Sequence, residues 1–142
     1  ATRLRLLELI DGDAAAFAPL AAAYGMARDT DEAAAAQRAA LQAALVDACE
    51  VPLEIMRQCV QVIESCVFLG CHGSVLAVSD AGAGAVLAKA ALLAASLNVR
   101  INIGSMDDGA RAAAYREQME DLIAAGSALA DDVYADVVER LG

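Results

Sequence analysis

Residues 73–108 read GSVLAVSDAGAGAVLAKAALLAASLNVRINIGSMDD, and this stretch decides the fold class. It is rich in alanine, which has the highest helix propensity and lets helices approach closely. Ser79 and Asp80 stand just before a long apolar run that continues to about Ile103. A hydroxyl there suits an N-terminal cap, and a carboxylate suits the positive end of the helix dipole. The stretch predicts one long helix, the most buried in the chain. Its apolar part, Ala81 to Leu97, could pass for a membrane span, but Lys89 in the middle would cost about 3 kcal/mol in a bilayer. A buried helix is the expectation, with no membrane partner.

Helical periodicity extends outward on both sides. From Thr2 to about Met26, Leu4, Leu7, Ile10, Ala14, Phe17, Ala21 and Tyr24 recur at intervals of three and four, marking one apolar face. Pro19 falls inside this pattern and predicts a kink or a break. Nothing at Ala1 resembles a cap, so the chain is expected to begin inside an element that has sequence before it. Asp29 and Glu32 have capping-box spacing and open an alanine-rich second helix to Cys49. Pro52 then either opens a third helix or kinks a continuous one, with Leu53, Met56, Val60, Ile63 and Val67 as its apolar stripe and Gly70 and Gly73 at its end. Ser105 and Asp108 form another capping box, ahead of a final helix carrying Tyr115, Met119, Leu122, Gly126, Leu129, Val133 and Val137. The fold class is all-α: an antiparallel bundle of long helices forming a single domain over residues 1–142.

Composition narrows the partners. Hydrophobic residues make up 59% of the chain but aromatics only 4%, and the net charge is −10. Such a surface repels phosphate backbones and anionic lipid headgroups, which argues against nucleic acid and membrane surfaces. Arg3, Arg5 and Glu8 interrupt any apolar run at the start, so no signal peptide and a cytoplasmic location are expected. Cys49, Cys59, Cys66 and Cys71 contain no CxxC pair and read as free thiols, three of them on apolar faces. The rival, a metal site from Cys66, Cys71 and His72, has none of the usual zinc spacings. Long alanine-rich helices in so short a chain leave apolar surface to spare, which predicts a homodimer.

Chemistry-bearing residues are sparse. The single histidine, His72, sits in a turn rich in Gly and Cys, either solvated or a general base. Polar residues that interrupt apolar helices say more, because a buried polar group costs about 1–3 kcal/mol unless satisfied. Asp80 is either a dipole partner or a catalytic group. Asn98 and Asn102, four apart on one helical face, either bind a ligand or bond another helix's backbone. Asp13 and Phe17 share a face of the first helix in the same way, with Asp13 either part of a site or, as is more common, a solvated face residue. Asp80 and Asn98 are 18 residues apart, roughly 27 Å along a helix. A site using both needs two subunits, or a helix broken near Gly82 and Gly84.

The run from Gly73 to Asp108 resembles the core signature of the formiminotetrahydrofolate cyclodeaminase and methenyltetrahydrofolate cyclohydrolase family. The recognisable parts are Ser-Asp before a small-residue helix and then LNVxIN. LLELIDGDAAAFAPLAAAYGM near the start and DTDEAAAAQRAALQAALVDACEVPLEI in the middle extend the resemblance across essentially the whole chain. It implies a dimeric helical domain holding a tetrahydrofolate derivative in a cleft between helices, with no cofactor beyond that substrate and no metal. The reaction implied is cyclisation of the 5-formimino form with loss of ammonia, or interconversion of the 5,10-methenyl and 10-formyl forms with water. Carried onto this chain, the resemblance marks Asp80 as catalytic and Asp13, Phe17, Ser79, Asn98 and Asn102 as substrate-binding. It also implies a glycine-rich, PGGGS-like helix ahead of the first one, which this chain does not contain. Ala33 to Ala36 replace positions that are often charged, and Ser74 and Leu76 replace asparagines of many relatives. These departures bear on catalysis rather than fold. They leave two alternatives to a folate enzyme: a non-catalytic dimeric helical module, or the same fold acting on another small molecule.

Overall fold

The structure, a computed structural model, describes residues 1–142 except the side chain of Val75. Four helices account for nearly all of it: α1 (Thr2–Tyr24), α2 (Asp31–His72), α3 (Val78–Ile103) and α4 (Gly109–Leu141), with a single 3-10 turn, Val75–Ala77, leading into α3. Short connections make neighbours in sequence antiparallel, as expected for an all-α bundle.

The backbone of the bundle is α2, whose 42 residues reach roughly 63 Å. It runs through Pro52 without interruption, so the segments expected on either side of that proline are one helix. Its cap lies one residue beyond the expected Asp29: Thr30, in extended conformation, accepts a hydrogen bond from the Ala33 amide. The hydroxyl at 30 reaches the third helical amide, which displaces the start of the box by one. At the other end Gly73 terminates α2, while Gly70 remains helical. His72 is thus the last residue of a helix rather than part of a turn, stacked on Phe68.

The core lies where α2, α3 and α4 meet. One cluster gathers Cys49, Leu53, Met56, Leu92, Val99, Tyr115 and Met119. A second, toward the other end, gathers Ile63, Val78, Ala85, Ala130 and Val133. Helix α4 approaches so closely at Gly126 that an added Cβ would stand 2.5 Å from Leu92 Cδ2 and 3.1 Å from Val60 Cγ2. Overpacking of this kind costs about 1–3 kcal/mol, so Gly126→Val should lower the melting temperature by about 5–10 °C in a thermal scan. Gly12→Ala, where nothing lies within 4 Å, should raise it slightly, because alanine is the better helix former.

Helix α1 packs on α2 alone of the larger elements, through a cluster of Leu20, Ala44, Leu45 and Ala48. Here the expected face is the wrong one. Leu9, Leu20 and Ala23 are buried, whereas Leu4, Leu7, Ile10, Ala14, Phe17, Ala21 and Tyr24 are exposed. The helix is apolar on two sides, and periodicity finds both stripes without saying which one α2 takes. The helix continues through Pro19 to Tyr24, so no break occurs there. Gln37 Nε2 donates to the carbonyl of Ala23 and ties the end of α1 to α2.

Helix α3 begins earlier than expected. Its cap position is Ala77, and Ser79 and Asp80 already lie in the first turn. The 3-10 turn feeds directly into the helix, so the Ser79 hydroxyl caps nothing, while Asp80 keeps its place at the positive dipole end. Ten of its 26 residues are buried, the highest share of any helix here, and Lys89 is neutralised by both carboxylate oxygens of Asp131 on α4 at 2.7 Å. By length and composition α3 could cross a membrane; in this bundle one side of it packs into the core. Its other side, with Leu87, Leu97 and Ile101 at 71%, 59% and 68% exposure, is uncovered. The connection to α4 is held from α2: Arg38 binds the Asp107 carboxylate with two hydrogen bonds, and Gln42 bonds the Ser105 carbonyl and the Asp107 amide. Asp108 alone caps α4, without Ser105.

Candidate active site

A groove opens where α1 and α3 stand apart on the surface of α2. Asp13, Ala16, Phe17 and Leu20 form one wall, Asn98, Ile101 and Asn102 the other, and Ala48 lies between them. Its volume is about 260 Å³. That is below the roughly 300–1,000 Å³ of sites that engulf a drug-sized ligand, so one chain covers only part of a large substrate.

The arrangement follows from helical spacing. Residues 13, 16, 17 and 20 lie within two turns of α1 on one side, and 98, 101 and 102 do the same on α3. Asp13 is half-buried and Phe17 is 60% exposed, so the groove offers one carboxylate beside one open aromatic face. The Phe17 side chain that fails to join the core is a groove wall instead. Asn102 is half-buried, and its Nδ2 donates to the carbonyl of Ala48 at 2.6 Å. In the core cluster of α2, α3 and α4, Tyr115, 6% exposed, donates its hydroxyl to Glu50 at 3.0 Å. Burial and the neighbouring Glu50 carboxylate push the phenol up to about 12, so it remains a hydrogen-bond donor at physiological pH.

Four of the six residues expected at a site therefore meet: Asp13, Phe17, Asn98 and Asn102. Ser79 and Asp80 do not join them. They lie exposed at the opposite end of α3, which is continuous through Gly82 and Gly84, so a break in the helix cannot bring them over. Gly82 is helical and admits Val137 of α4, whose Cγ1 would be 3.0 Å from an added Cβ. Sequence reasoning missed Ala16, Leu20, Ala48 and Ile101. The first two were recoverable, since they lie three and seven positions after Asp13 on the same helical side; Ala48 comes from another helix and carries no local signal.

The thiols lie elsewhere. Cys49, Cys59 and Cys66 are buried, and burial raises all three, Cys49 to about 11. Cys71 is exposed. Among the described residues no group of three or more His, Cys, Asp or Glu is placed to hold a metal ion, and Cys66, Cys71 and His72 form no such group.

Comparison with known proteins bears on the family and the fold. The chain is 36% identical over 139 residues to a methenyltetrahydrofolate cyclohydrolase of Methylorubrum extorquens, covering 98% of this chain and 67% of the relative. Its fold matches that of a formiminotetrahydrofolate cyclodeaminase from Thermotoga maritima with a TM-score of 0.73 and 25% identity. That alignment covers 99% of this chain and 64% of the other, so the chain spans about two thirds of the length of these relatives. The formiminotransferase-cyclodeaminase profile matches residues 1–121, and the chain belongs to that family, the one its residues 73–108 resemble.

Proposed function

We propose that this chain is the helical domain of a folate one-carbon enzyme and that it hydrates 5,10-methenyl-tetrahydrofolate to the 10-formyl form. The observation that carries this reading is the groove: Asp13, Phe17, Asn98 and Asn102 converge in a chain similar along 98% of its length to a named cyclohydrolase. The aromatic face of Phe17 suits a planar ring system, and the polar groups suit its nitrogens. Water adds to the electron-poor methenyl carbon and gives up a proton. The resulting hydroxyl then collapses to the formyl C=O, its proton passes to N5, and the C–N5 bond breaks. A carboxylate that takes the first proton and amides that align the carbon suffice for this sequence.

Asp80 is the proposed proton acceptor, supplied by a second copy of the chain in a homodimer. The uncovered stripe of α3, Ala83, Leu87, Ala90, Ala94, Leu97 and Ile101, steps by four and three alternately and is symmetric about position 92. Two such stripes pack antiparallel across a two-fold axis, so that residue 83 of one copy faces 101 of the other. The same symmetry sets Asp80 opposite position 104, roughly 3 Å along the axis beyond Asn102. The long separation along one helix thus becomes proximity between two. Ser79 would accompany Asp80 as a substrate contact, with no cofactor besides the folate itself and a cytoplasmic setting.

The test adds 5,10-methenyl-tetrahydrofolate to the protein and follows the loss of its absorbance against buffer alone. Acceleration over buffer is expected. A rate equal to buffer sinks the cyclohydrolase reading and favours a non-catalytic module. Ammonia release from the 5-formimino substrate, without methenyl hydration, would identify a cyclodeaminase instead.

A further inference from the structure

The two prolines of this chain both sit inside helices, and each withholds the backbone N–H that would have bonded the carbonyl four residues earlier. For Pro19 that carbonyl belongs to Ala15, which is exposed and open to water. For Pro52 it belongs to Ala48, which is 7% exposed, and Pro52 itself is fully buried. A buried carbonyl without a donor is costly. The donor that meets it is Nδ2 of Asn102, at 2.6 Å, from a helix 54 positions further along the chain.

We infer that Pro52 is a positioning residue of the groove: by leaving the Ala48 carbonyl without a helical donor, it fixes the orientation of the Asn102 amide. A carbonyl only accepts, so the nitrogen of Asn102 must face it, and the amide cannot be turned end for end. The oxygen occupies the other arm of the planar group, and Asn102 lines the groove. The groove therefore presents a fixed acceptor at this point, and the ligand group received there is an N–H or O–H donor. This specificity rests on the folate-site reading above, whereas the link between proline and asparagine does not.

The consequence can be measured as a cycle of variants. With Pro52 in place, Asn102→Ala strands the buried carbonyl and should lower the melting temperature by about 5 °C. After Pro52→Ala the amide of residue 52 takes that carbonyl, and the same Asn102 substitution should cost about 1 °C or less. Pro52→Ser restores the same N–H with a larger side chain and should behave alike. Equal losses in both backgrounds would overturn the link. These arms need no substrate, so they stand even if methenyl hydration is absent.

The functional arm uses 5,10-methenyl-tetrahydrofolate as substrate. Pro52→Ala frees the Asn102 amide, so KM should rise about tenfold, with kcat changed by less than about threefold. Adding Asn102→Ala to it should change KM no further. An unchanged KM in Pro52→Ala would overturn the positioning role, because a purely structural proline would alter melting alone.

Discussion

Asp80→Asn is expected to lower kcat by about 10²- to 10⁴-fold while leaving the melting temperature close to that of the wild type. Asparagine is nearly the same size, and Asp80 is exposed and bonds no other side chain among the described residues, so the fold has little to lose. The change removes the group proposed to accept the proton of the attacking water. The more demanding result comes from mixing. Asn98→Ala should cripple the groove of its own chain but keep Asp80 intact. If Asp80 acts in the partner's groove, unfolding and refolding equal amounts of the two variants together yields mixed dimers with one complete site each. About a quarter of wild-type activity should return, since half of the dimers are mixed and each has one working site of two. No recovery in dimers shown to be mixed would remove Asp80 from the partner's site.

The second large effect is expected at Leu97. A glutamate there would place a charge within the uncovered α3 stripe, opposite Leu87 of the other copy in the antiparallel arrangement. In a two-fold interface the substitution occurs twice, so each contact is damaged symmetrically. Burying an unpaired carboxylate costs several kcal/mol, which is enough to separate the copies. Sedimentation should report a mass of two chains for the wild type and one for Leu97→Glu. Activity should fall with dissociation to the level of Asp80→Asn, because separation withdraws Asp80 from the groove. Tyr134→Glu, on the exposed side of α4, serves as the control and should keep both mass and activity. A single-chain mass for the wild type would contradict the homodimer.

How much of this was legible in the sequence depends on the range of the interaction that decides it. The helices themselves are local: alanine content and three–four periodicity suffice to find α3 and α4. Cap positions turn on which oxygen reaches which amide, and there Thr30 prevails over Asp29 and Ala77 precedes Ser79. The face of α1 is not local at all. Leu4, Leu7 and Ile10 form as regular a stripe as Leu9, Leu20 and Ala23, and only the fit against α2 chooses between them. For the site, paired spacings on single helices picked out Asp13 with Phe17 and Asn98 with Asn102, and the groove unites the two pairs. The distance from Asp80 was equally readable, because the rise of a helix is constant. The bond between Asn102 and Ala48 was half readable: Pro52 announces an orphaned carbonyl, but nothing nearby in sequence names its donor.

The cysteines have a practical corollary. Alkylating reagents attack the thiolate, and the interior suppresses that form at Cys49, Cys59 and Cys66. Cys71 alone stands open to solvent, near the end of α2 remote from the groove. The native chain thus carries one addressable attachment point for a dye, without any engineered residue. A fluorophore there sits beside the junction of α2 and the turn that leads into α3, so its anisotropy would report on the Asp80 end of the bundle.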